Sequence, residues 1–161
     1  MILGHLTGTY LVVKVIKPKA TSLIMASTLI GAYFPDMVDK SLMLLNIGNG
    51  RFVAHSLPML SLFLVVCFWV VNTKLKEHAS LFLWFCLGCF LHLLQDWVQL
   101  KTLFWPFLGG LDRPVSRSLI KITVNFYSFK TSPLIWAELV THGLFIIYQI
   151  VTFTRKYARK K

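Results

Sequence analysis

Apolar residues run through the chain in five long stretches separated by short polar breaks, and each stretch has helical length. The pattern predicts helices over Ile2 to Val15, Thr21 to Phe34, Ala54 to Val71, His78 to Gln95 and Pro133 to Phe153. The last is long enough to span a bilayer. Several others fall short of the roughly 20 residues of a perpendicular crossing, so they would tilt or cross in part. Residues 101–132 form one long polar connection, opened by Phe104, Trp105 and Phe107, and this arrangement places it along the membrane surface. No repeat or low-complexity segment divides the chain, so a single domain is expected over 1–161, with a basic tail over 154–161. The fold class expected is all-α, a polytopic membrane helical bundle of about four to five helices with one interfacial connection.

Composition supports the membrane reading: 56% of residues are hydrophobic, only 14% are charged, and the mean hydropathy is +0.66. That exceeds the apolar content of ordinary soluble domains. The formal charge of +11 raises the question of nucleic acid. The cations fall between apolar runs and in the tail, without a recognition motif, so a nucleic-acid partner is not expected. Ten Lys and Arg lie on one face of the expected bundle (Lys14, Lys17, Lys19, Lys74, Lys76, Arg155, Lys156, Arg159, Lys160, Lys161) and seven on the other. The positive-inside rule then puts the C-terminus in the cytoplasm. The N-terminus lacks the basic region and small-residue cleavage site of a secretory signal. Cys67, Cys86 and Cys89 are odd in number and sit in apolar stretches, which fits small buried side chains better than a disulfide framework, despite the CxxC spacing of the last two.

Four polar signatures interrupt this oily background: Gly4-His5, the segment Pro35 to Asp39, the segment Arg51 to Ser56, and the segment His92 to Asp96. They hold three of the six acidic residues and three of the five histidines. Ionisable groups inside apolar segments cost about 2.5–3.5 kcal/mol each on insertion scales, so their clustering needs a function. In an up-and-down bundle His5, Asp36, Asp39, His55, His92 and Asp96 all fall at one membrane face, together with Glu138. His92 and Asp96 are four positions apart and project from one helix face. Pro35 is suited to opening a turn from which Asp36 and Asp39 both point inward. Three His and three Asp form a mixed nitrogen and oxygen donor set for one or two divalent ions, with zinc favoured and manganese or iron as alternatives. Glu138 reads equally as an interhelical hydrogen-bonding carboxyl or as a ligand or general base, with His142 on its helical face supporting it.

These ordered motifs, with Phe104-Trp105-Pro106-Phe107 after them, resemble the membrane-bound, metal-dependent hydrolase family, also described as LexA-regulated, inner-membrane-associated hydrolases. The resemblance covers residues 4 to about 107. It implies that His5, Asp36, Asp39, His55, His92 and Asp96 match the family's metal-binding positions, and that the chain resides in a bacterial or archaeal cytoplasmic (inner) membrane. Three departures stand out: the second Asp comes one residue later than in many members, Lys40 stands where they carry a His, and the first His, the Gly and the Thr of their motif around Arg51 are missing, which leaves one ligand fewer.

The function expected is hydrolysis through a metal-activated water, with phosphoesterase as the preferred subclass and a lipid or lipid-linked phosphate ester as substrate. Arg51 would offset developing negative charge and Glu138 would handle protons. Lys40, Arg113 and Arg117 read either as phosphate contacts or as interfacial anchors. Ser56 is better suited to helix capping or to supporting a ligand than to nucleophilic attack. A metal carrier or transporter using the same residues is the alternative, and a structural protein that binds no metal is a third. Membrane lipids are the partners expected; the sequence leaves the oligomeric state open.

Overall fold

The computed structural model describes residues 2–47, 50–96, 100–108 and 133–158. Among them the chain is helical, without strands: α1 (Ile2–Ile16), α2 (Ser22–Leu44), α3 (Leu57–Lys74), α4 (Ala79–Gln95), the single turn α5 (Leu100–Leu103) and α6 (Pro133–Ala158). A 3-10 turn over Lys76–His78 leads into α4. The expected connection over 101–132 contains the end of α5 and the turn that follows it. Residues 109–132, with Arg113 and Arg117, lie outside the described residues.

The second helix does not end at Phe34, as the sequence had indicated, but runs through Pro35 to Leu44. An internal proline removes one backbone bond, here to the Gly31 carbonyl, and crowds that carbonyl. Tertiary packing offsets this cost, because Pro35, Asp36, Asp39 and Met43 continue the buried face begun by Thr28, Gly31 and Ala32. Asp36 and Asp39 therefore project from a helix and not from a terminal turn. The third helix starts at Leu57 and not at Ala54, capped by the Ser56 side chain. α6 continues five residues beyond Phe153, to Ala158.

Helices α2 and α4 form the most intimate pair, with α1 packed on α2 and α6, and α3 on α4. Two glycines set their approach. A Cβ on Gly31 would stand 2.0 Å from the Phe85 carbonyl oxygen, and one on Gly88 would stand 2.0 Å from the Thr28 carbonyl oxygen. Backbone therefore meets backbone, the contact that small residues permit between membrane helices. Ser27 ties the pair further by donating to the Leu81 carbonyl at 2.7 Å.

The distribution of polarity is inverted relative to a soluble domain. Buried positions include His5, Thr9, Thr28, Asp36, Asp39, His55, Ser56, His92, Asp96 and Glu138, while Leu62, Val65, Val66 and Trp69 on α3 and Leu144, Ile147, Ile150 and Phe153 on α6 face outward. Leu57–Lys74 and Lys76–Gln95 are long and apolar enough to cross a membrane. Exposed apolar helix faces around a polar interior are what a lipid solvent favours. A small apolar cluster of Leu60, Cys89 and Leu93, flanked by Phe34, Phe85 and Leu103, lies between α3 and α4. Cys67, Cys86 and Cys89 are all free thiols.

Candidate metal centre

The α2–α4 contact brings the two acidic signatures together. Asp36 lies five residues beyond Gly31 on α2, and His92 lies four residues beyond Gly88 on α4, so both sit about one turn past the crossing and face each other. His55 enters from the turn before α3, and His5 from the first turn of α1. Two groups result in which one ligand atom per residue lies within 4.8 Å of the others: His5, Asp36 and His92, and His55, His92 and Asp96, all buried.

Hydrogen bonds fix the histidine tautomers. His92 Nδ1 lies 2.7 Å from the Ala32 carbonyl oxygen, which can only accept, so Nδ1 carries the proton. His55 Nδ1 lies 2.7 Å from Asp39 Oδ2 and donates to it in the same way. In its neutral form each ring then presents a lone pair at Nε2, and the two Nε2 atoms face one another at 3.2 Å. Such an arrangement calls for positive charge between or beside them. His5, 2% exposed, has no hydrogen bond at either ring nitrogen among the described residues. Its Nε2 points toward Asp96 Oδ1 at 3.5 Å. Asp36 Oδ1 is 3.7 Å from His55 Nε2 and 4.0 Å from His92 Nε2, while Asp96 Oδ2 is 3.5 Å from His55 Nε2.

Two cations grip the outer edges of these carboxylates. Lys40 Nζ meets Asp36 Oδ2 at 2.5 Å, one helical turn away. Arg51 donates from Nη2 to Asp96 Oδ1 at 3.0 Å, and its Nε forms an ion pair with Oδ2 at 2.9 Å. Burial alone would raise the Asp96 carboxyl, but His5, His55 and Arg51 together hold it well below the usual carboxylate range. Burial would lower the His55 imidazole, yet Asp39 and Asp96 outweigh it and raise His55 above an ordinary histidine.

Asp39, expected among the ligands, is engaged elsewhere. Its oxygens accept from the backbone amides of Phe52 at 2.6 Å, Ala54 at 3.0 Å and His55 at 3.1 Å, as well as from His55 Nδ1, and it belongs to neither donor group. Glu138 accepts from the Gly4 amide at 3.0 Å, next to His5, where its charge complements the N-terminus of α1. His142 reaches the Glu138 backbone carbonyl at 2.7 Å and not its carboxylate. Ser56 donates to the Trp105 carbonyl at 2.5 Å and accepts from the Met59 amide at 3.4 Å. Sequence reasoning did not find the Ala32 carbonyl that fixes His92, nor the Gln95 side chain, which donates to Thr9 at 3.2 Å and holds α1 against α4. Gly88, one turn before His92, was the available signal for the first.

The donor set fits a divalent ion. A shared proton would satisfy the His55–His92 pair and leave both His5 nitrogens without a hydrogen bond; a cation in the first donor group would engage a His5 nitrogen, and one in the second would engage His55, each together with His92. Two nitrogens at 2.0–2.1 Å on one tetrahedral ion stand roughly 3.3 Å apart, close to the Nε2 separation here. Because His92 has a single available nitrogen, both donor groups cannot be filled through it at once.

Neither the curated proteins nor the solved structures include a significant match to this sequence. The family described as YdjM inner membrane protein matches residues 1–156, nearly the whole chain including all four polar signatures, and the chain belongs to that family.

Proposed function

We propose that the chain is a membrane-embedded, metal-dependent hydrolase acting on phosphate esters of lipid or lipid-linked origin. The observation that carries this reading is the pair of buried imidazoles whose lone-pair nitrogens face each other at 3.2 Å, ringed by His5, Asp36 and Asp96. Either His5, Asp36 and His92 or His55, His92 and Asp96 would hold an ion through the His92 nitrogen, zinc first, with manganese or iron suited to the same mixed donors. When bound, the ion would supply Lewis acidity and lower the pKa of a coordinated water to about 7.

The chain's own groups do the rest. Arg51, 45% exposed while Asp96 is buried, stands at the rim of the centre and can offset charge on an incoming anion. Lys40 sits similarly beside Asp36. Glu138, assigned proton handling from the sequence, here braces the first turn of α1, which carries His5. The Ser56 hydroxyl is committed to the Trp105 carbonyl, which supports a capping role over attack. Outward apolar faces on α3 and α6 support a bundle of four to five crossing helices, and the cation asymmetry supports a cytoplasmic C-terminus with the centre on the outer side.

The carrier alternative needs a polar path through the bundle, and the backbone contact at Gly31 and Gly88 gives none between α2 and α4. Purified protein in mild detergent, offered phosphate-ester lipids in mixed micelles, is expected to release phosphate or an alcohol, to stop on chelation, and to recover when zinc or manganese is restored. Metal flux into vesicles without turnover on such substrates would favour the carrier.

A further inference from the structure

We infer that, given a metal at the His/Asp centre proposed above, Asp39 is a positioning residue that sets the tautomer of His55 and folds the segment carrying Arg51, and is not itself a ligand. Asp39 and His55 are both fully buried. All four hydrogen bonds to the carboxylate are donated to it, three by successive or near-successive amides and one by His55 Nδ1. Residues 50–56 thus wrap around one anion. Gly50 lets the chain enter this wrap, with φ +89° in a region that side chains disfavour.

Two consequences follow for the centre. A proton held on Nδ1 by Asp39 keeps Nε2 available, the carboxylate–histidine relation that orients metal-binding imidazoles elsewhere. The same wrap places Arg51 so that its guanidinium spans both oxygens of Asp96. One buried carboxylate on α2 therefore prepares a ligand and a rim cation that both come from the turn before α3. The three-residue spacing from Asp36 matters here: it keeps both carboxylates on the buried face of α2 while offsetting Asp39 by nearly a turn toward that segment.

In Asp39→Asn an amide replaces one acceptor oxygen with a donor, so whichever way it turns, at least one N–H of the wrap faces another N–H. Zinc affinity, measured in detergent by competition with a chromophoric chelator, should fall about 10–100-fold, the range for residues that orient a ligand. His92→Ala, which removes a ligand outright, should lose tight binding altogether. An Asp39→Asn protein that loses zinc as completely as His92→Ala would make Asp39 a ligand; one within twofold of wild type would remove its positioning role. Either result overturns the inference. Nitrogen-15 NMR of the wild-type histidine rings gives a test that needs no variant to fold. The proton on His55 is expected on Nδ1, and a proton on Nε2 of neutral His55 would overturn the inference. Absence of zinc binding by the wild-type protein would instead count against the metal reading, and the ring tautomer would still decide the role of Asp39.

Discussion

Helices α3 and α4 are built from similarly apolar sequence, but α3 and the α2–α4 pair are used in opposite ways. In α3 Leu60 is buried while Leu62, Phe63, Val65, Val66 and Trp69 face outward, and the helix carries no part of the centre. In α2 and α4 the inward face is mostly small or polar, with Thr28, Gly31, Ala32, Asp36 and Asp39 on one and Gly88, Cys89 and His92 on the other, beside the larger Ile24, Met43 and Leu93. Burial in lipid needs no apolar interior, so a membrane helix can commit its inner face to backbone contact and to ligands while its outer face meets the acyl chains. Between α3 and α4, both apolar enough to cross a membrane, the difference is one of orientation.

The comparison breaks most visibly at the glycines. In Gly88→Leu the new side chain begins 2.0 Å from the Thr28 carbonyl oxygen and 2.7 Å from the Ala32 amide nitrogen, both backbone atoms that cannot swing aside. Unfolding in detergent should show a loss of about 1–3 kcal/mol or more, and the α2–α4 shift should weaken metal binding along with it. Val66→Ala on the outward face of α3 serves as the contrast, with a change within about 0.5 kcal/mol. Equal effects at the two positions would mean that the close crossing does not organise the fold.

A smaller effect is expected where the two regions join. Ser56 caps α3 and anchors the Trp105 carbonyl, so Ser56→Ala should cost about 1 kcal/mol in the same unfolding measurement and should lower hydrolysis only modestly. Complete loss of hydrolysis with the stability preserved would return Ser56 to consideration as a nucleophile.

The convergence of the candidate site's residues was largely legible in the sequence because its signals are local. The four-residue spacing of His92 and Asp96 places two groups on one side of a helix, and Asp36 and Asp39 were readable as two groups turned inward from one short segment. The up-and-down order expected of the apolar stretches then carries His5 and His55 to the same end. What escaped depends on the third dimension. Pro35 reads as a helix boundary, and only the buried face formed by Asp36, Asp39 and Met43 explains why α2 continues through it. The division of labour between two carboxylates three residues apart follows from the wrap of residues 50–56 around Asp39, which no spacing rule contains. The other helix ends shifted by up to about five residues for similar reasons, since a cap such as Ser56 is recognised by the bonds it makes.

The central claim, that the facing imidazoles and their carboxylates form a metal centre, is tested most directly by elemental analysis of the protein purified in mild detergent and exchanged against metal-free buffer. Wild-type protein is expected to retain about one or two divalent ions per chain, and His92→Ala to retain none while keeping its helical content. Wild-type protein that retains no divalent ion, and takes up none when zinc, manganese or iron is supplied, would contradict the account.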